Sequence, residues 1–330
     1  MRPLVLKGLI AVALTGIFAG YGFASPLSGS LLSLVPAGAQ IVAGFDNRPG
    51  PSGHGRLLLT THNNRLDLDD WQALTGADSR RVFEEVIEVA ASHSAGSLSE
   101  HMLLVGGRLD RARIFHSVEE NGARSLEFLG ERVLLIEPFA RERNDMLDTR
   151  WLVILDNHIG ILGTPWLVQK ALRRYVDHSV PDSILEERLS LLRSDVTCWN
   201  VLVQPARTEK NINFAQPHSA WAELQQDADV LLVSVRFGSK VRIDFSIHAQ
   251  AERGTEFFAQ KAAFFTDALT AGPESEPVSP NAGENRPANY SVESNHLQGS
   301  VELSGKQFEA WCEHLYRVRL PQVPVSSRGD

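Results

Sequence analysis

Short apolar runs alternate with polar ones along this chain, and helical stripes interrupt them. Ile41 to Phe45 reads as a strand approached through Val35-Pro36-Ala37-Gly38. Asn47 to Gly55 holds two prolines and three glycines and reads as a loop. Arg56 to Thr61 comes next as a second strand. Leu68 to His93 carries helical periodicity, clearest at Phe83, Val86, Ile87 and Ala90. Gly76 divides it into two helices, with Asp78 or Ser79 as the second N-cap. His101 to Gly107 is a strand, and Gly106-Gly107-Arg108 marks its end. Asp110 then caps a helix through Ile114, Phe115 and Val118 that stops at Gly122. Ser125 to Glu137 alternates around Gly130 as a hairpin.

A hairpin followed at once by a helix then recurs. Trp151 to Leu155 and Ile159 to Leu162 flank Asp156-Asn157-His158, and Thr164 with Pro165 opens a helix. Its apolar face is Leu167, Val168, Ala171, Leu172 and Tyr175. Val230 to Phe237 and Val241 to Ala249 flank Gly238-Ser239 before a helix from Thr255 to Leu269. Tyr290 to Glu293 and Leu297 to Leu303 flank Ser294-Asn295-His296 before a stripe from Phe308 to Tyr316. A strand at Val196 to Gln204 and a helix at Ser219 to Ala228 complete the pattern. The predicted fold is α+β: repeated hairpin-helix units, mostly antiparallel sheets, helices packed on one face. The recurrence suggests one architecture built at least twice, with no repeat at the level of residues. The expected division is a linker at 25–40, a first domain at 41–180, a second at 196–321 and a tail at 322–330. Residues 271–288, rich in proline and glutamate, read as a mobile solvated loop.

The opening residues decide the compartment. Arg2 and Lys7 precede a stretch from Leu9 to Ala24 that is free of charge. Sixteen helical residues rise about 24 Å at about 1.5 Å each. A bilayer core needs about 20 residues. Gly22 and Ala24 place small side chains before Ser25, as signal cleavage requires. Residues 1–24 are therefore read as a signal peptide, or else as an inner-membrane anchor over 4–24. Either way the body is exported, to the periplasm or beyond. Membrane contact is expected only through a retained segment.

Charge removes one class of partner. The chain carries 32 basic and 40 acidic side chains, a formal net charge of −8, with no basic stripe. A polyanion is repelled on average, so no nucleic-acid partner is expected. Cys198 and Cys312 are the two cysteines. They read as buried small hydrophobes or as a disulfide suited to an exported chain. No motif for a cofactor, nucleophile elbow, phosphate loop or zinc helix is present, and no cofactor or metal is expected. Asp67, Asp69 and Asp70 fail the calcium-loop spacing, since Trp71, Gln72 and Asp78 stand where it needs an oxygen ligand, a glycine and a glutamate. His54 and His62 bracket a strand and could meet Asp67 or Asp69 at a shared edge, but a metal site there is not expected. His158 and His296 fall at hairpin turns and are expected to be exposed.

One helix carries an oddity. Phe257, Phe258, Phe264 and Phe265 share an arc with Lys261 near its middle. A lysine there must snorkel past the rings or meet a ligand. This helix is the sequence's candidate ligand site, lining an apolar groove.

The stretches "SLVPAGAQIVAGFD" (33–46) and "LLVGGRLDRARI" (103–114) resemble uncharacterised exported proteins of bacteria with Acidobacteria-type genomes. The resemblance implies a signal or anchor followed by a strand of the same pattern. That family has no assigned activity, so it implies no catalytic residue. The leading expectation is a non-catalytic cell-envelope protein that binds a partner protein or an apolar, lipid-like ligand. The alternative is an extracytoplasmic hydrolase whose site is assembled from distant residues.

Overall fold

The computed structural model describes residues 29–46, 68–92, 99–137, 149–192, 196, 198–202, 228–249, 288–293 and 296–308. The strands β1 to β7 are Ile41–Asp46, Phe83–Ser92, Ser99–Gly107, Arg124–Phe128, Glu131–Ile136, Arg150–Leu155 and Ile159–Gly163. Strands β8 to β12 are Cys198–Leu202, Ala228–Phe237, Val241–Ala249, Ala288–Glu293 and His296–Leu303. Helices α1 to α6 are Gly29–Leu32, Leu68–Thr75, Ser79–Val82, Arg111–Glu120, Pro165–Val176 and Ser183–Ser190. The described fold is mostly antiparallel sheet with a few helices.

All twelve strands join one sheet in the order β11-β12-β10-β9-β8-β1-β2-β3-β7-β6-β5-β4. Hydrogen bonding runs without a break between the segments 41–180 and 196–321, because β8 pairs with both β1 and β9. The two sides of the central pair share one plan. Outward from β1 the order is β2, β3, β7, β6; outward from β8 it is β9, β10, β12, β11. The central pair is antiparallel, Ile41 facing Leu202 and Phe45 facing Cys198. Registers correspond as well: Met102 faces Gly163 in the first arm, and Asp244 faces Ser300 at the equivalent place in the second. Among the described residues the hairpin β4–β5 extends only the first arm.

Strand alternation sends side chains to two faces. In the first arm both faces are apolar and covered. On one face Met102, Leu104, Val153 and Ile161 pack with Leu167, Val168, Ala171 and Leu172 of α5 and with Leu185 of α6. Leu31, Leu32, Leu34, Val35 and Ala39, within the stretch read as a linker, are buried in the same cluster. On the other face Leu103, Val105, Leu152, Ile154 and Leu162 meet Trp71 of α2 and Ile114, Phe115 and Val118 of α4. Helices therefore cover both faces, which corrects the expectation of one. A complete hairpin-helix unit appears at β6–β7–α5. The β11–β12 hairpin leads into a helical turn at 305–308, and the segment after β10, residues 250–287, lies outside the described residues.

A second correction concerns residues 83–92, expected as helix and found as β2. Gly76 does end α2, at a φ of +65°, and α3 is one turn. The apparent helical spacing of Phe83, Val86 and Ile87 has another origin. A bulge between Phe83 and Glu85 puts Phe83 on the same face as Val86. Ile87, Val89 and Ala91 then line the opposite face at period two. A strand buried on both faces shows no clean alternation. Other local signals hold: Asp110 accepts from the Arg113 backbone N–H at 3.0 Å, and Gly122 comes just after α4 at a φ of +91°. Thr164 takes the N-cap position of α5 but makes no side-chain cap bond.

Two glycines are roofed by indoles. A Cβ on Gly44 would lie 2.2 Å from Cζ2 of Trp199, and one on Gly160 would lie 2.6 Å from Cη2 of Trp71.

The β6–β7 turn is locked from below and from the side. Asp156 and Asn157 are left-handed, at φ of +50° and +57°. The backbone N–H groups of Gly107 and Leu109 donate to the His158 and Asn157 carbonyls, at 2.9 and 2.8 Å. The Tyr175 hydroxyl donates to the Asp156 carboxylate. This bond, with partial burial and the negative charges of Asp156 and Glu131, pushes the phenol up to about 12 against an opposing pull from Arg111. A raised folded pKa contributes stability below the unfolded value of about 10 and loses it as pH climbs through about 12. Tyr175→Phe is expected to remove that part of the alkaline loss. Denaturant midpoints of both proteins at pH 9 and at about pH 12 check it; an unchanged difference between them would refute the link.

Candidate functional site

The face that is apolar in the first arm is polar in the second. Counted from the central pair, the places of Val89, Met102, Leu104 and Ile161 fall to Ser234, Asp244, Ser246 and Gln298. The other face of the second arm keeps its hydrophobics: Val233, Val235, Ile243, Phe245, Ile247 and Val301 are buried. A cavity of about 600 Å³ opens over the polar face, edged by Leu191 and Leu192 just past α6 and by Leu232.

At one end two guanidinium groups share a carboxylate. Arg236 Nη2 lies 3.1 Å from Asp244 Oδ2, and Arg242 Nε donates to Asp244 Oδ1 at 2.8 Å. Lys240 and Glu302 pair at 3.3 Å, with Glu302 opposite Arg242 in register. These five groups leave one net positive charge in a chain whose total is −8. Ser234 and Ser300 flank Asp244 in register.

At the other end Ser246 Oγ and His296 Nε2 are 3.0 Å apart, and the tautomer decides which donates. The His296 ring stacks on His248, centroids 3.9 Å apart and planes 14° apart. Leu232 and Gln298 are the register neighbours of Ser246 on either side. Hydroxyls, imidazoles and an amide both donate and accept, so this floor can meet a ligand's hydroxyls in either sense.

The site expected from the sequence is not among the described residues. Lys261, Phe257, Phe258, Phe264 and Phe265 are outside the described residues, as are Cys312, His54, His62 and Asp67. Cys198 is buried in β8. His158 is exposed, as expected. His296 is not: it is half-buried in β12 and lines the cavity. The β11–β12 loop is two residues long, which puts His296 opposite Glu293 as the first ladder position rather than in the turn. Among the described residues no cluster of three or more metal-ligating side chains occurs, and no helix is long and apolar enough to cross a membrane.

Sequence reasoning missed Arg242, Asp244, Ser246, His248, His296, Gln298 and Ser300. A signal was present: Arg242, Asp244, Ser246 and His248 alternate with Ile243, Phe245 and Ile247, and His296, Gln298 and Ser300 do likewise. What sequence lacked was the register that lays the two polar rows side by side. No family model, curated protein or solved structure matches the chain.

Proposed function

We propose that this chain is an exported cell-envelope protein that binds a ligand in the cavity over β9, β10 and β12. The observation that carries the reading is the replacement, position for position, of an apolar covered face by a polar one edged by leucines. Ser234, Ser246 and Gln298 stand where the first arm has Val89, Leu104 and Ile161, and such side chains can donate to and accept from a polar ligand. The reading favours a polar ligand over the apolar one expected from the phenylalanine helix. The matching strand orders support a second proposal, that the arms are copies of one architecture with the hairpin-helix unit as its repeat.

The test fills the cavity. Ser300→Leu is expected to leave the fold intact and to abolish the thermal stabilisation that a bound ligand gives the parent protein. Equal stabilisation of both proteins would place the ligand elsewhere. Export is tested by fractionation and amino-terminal sequencing, with a chain starting near Ser25 expected.

A hydrolase remains the second reading, favoured by the Ser246–His296 contact, which has nucleophile–base geometry. Binding leads because Ser246 sits in mid-strand. The backbone donors around it serve the ladders to β9 and β12, which leaves no backbone oxyanion hole among the described residues. Ester turnover lost in Ser246→Ala would reverse that order.

A further inference from the structure

We infer that the cavity takes an acidic monosaccharide, a sugar ring bearing one carboxylate, with the carboxylate at Arg242 and the hydroxyls over the serine and histidine rows. The inference rests on the cavity being the ligand site and names the ligand's class. Three observations carry it. Arg242 lines the cavity and, among the described residues, meets Asp244 through Nε alone, so its two Nη groups are the donors offered to a carboxylate. The five charged groups described around it sum to one net positive charge, which matches a monoanion. Beyond it, Ser300, Ser246, Gln298 and His296 form a floor of hydroxyl, amide and imidazole groups that can donate and accept, as sugar hydroxyls do. Leu191 and Leu192 stand at the edge, where the C–H face of a ring can rest. An alkyl chain in the same place would strip water from that floor and return no hydrogen bonds. A volume of about 600 Å³ accommodates such a ring with room for its neighbour in a chain.

The experiment is calorimetric titration of the full protein with D-glucuronate, D-glucose and dodecanoate. Glucuronate is expected to bind at least about tenfold more tightly than glucose, one charge-assisted contact being the difference. Dodecanoate is expected to bind most weakly. Arg242→Gln should bring glucuronate and glucose within about threefold of each other; Arg242 is part-exposed, and Asp244 keeps Arg236, so the variant is expected to fold. Gln298→Leu should weaken both sugars alike. Glucose bound as tightly as glucuronate sinks the acidic class and leaves the cavity reading standing. Dodecanoate bound more tightly than either sugar overturns the inference in favour of an apolar ligand. No binding by any of the three, with an intact fold, also overturns it.

Discussion

Trp71→Ala is expected to lower stability by about 4 kcal/mol. Trp71 is fully buried, packs edge-on to Phe83 at 5.1 Å and lies over Gly160. It closes the face shared by α2, α4 and the first arm of the sheet. Truncation leaves a cavity that a bare glycine below cannot fill, and among the described residues the half-buried Leu74 is the other α2 side chain packed on that cluster. Such a loss is about a quarter or more of the whole stability of an ordinary domain. Trp71→Phe is expected to cost less than half as much. It keeps most of the ring, and it removes an indole N–H that is buried with no hydrogen-bond partner among the described residues. Urea denaturation of the three proteins checks both steps; equal losses for phenylalanine and alanine would show that ring volume is not what matters there.

Gly44→Ala is expected to cost about 3 kcal/mol, a large figure for one methyl group. Gly44 lies in β1, with Trp199 of β8 as its register partner on one side and Ile87 of β2 on the other. The new methyl would overlap the Trp199 ring, 2.2 Å from one carbon and 2.4 Å from the next. Trp199 is 2% exposed, so its ring cannot swing into solvent. Either β1 and β8 part, or the ring is forced from its rotamer. A double-mutant cycle distinguishes a clash from lost glycine flexibility. With Trp199→Leu in the background, Gly44→Ala should cost at least about 1 kcal/mol less than it does alone. Additive losses would mean the indole and the glycine are independent.

Local signals were legible in the sequence and distant ones were not. The α4 helix was readable because Asp110, its apolar stripe and Gly122 lie within a dozen or so residues. The hairpins at 124–136, 150–163 and 228–249 were readable because their turns sit between alternating runs. The β2 strand was misread because a single bulged residue, Glu84, turned a period of two into an imitation of a helical stripe. The helices on two faces could not be told from one, since apolar periodicity shows which stripe of a helix is buried and not against which side of a sheet. The cavity was hidden for a related reason. Ser246 and His296 are 50 positions apart, and only the β10–β12 register makes them neighbours. Phe257, Phe258, Lys261, Phe264 and Phe265 stand out in the sequence because their pattern is local.

The seam between the arms has a consequence for biosynthesis. Ile41 to Phe45 are made early, and their partners from Cys198 to Leu202 arrive only after the whole first arm has been produced. During that interval the free side of β1 is an open template, apolar and one strand wide, able to recruit any extended segment nearby. The nascent protein is thus most vulnerable to misassociation at its own midline. A chain halted before Cys198 would keep that vulnerability for good, and the natural substitute for the missing β8 would be the β1 of another halted chain.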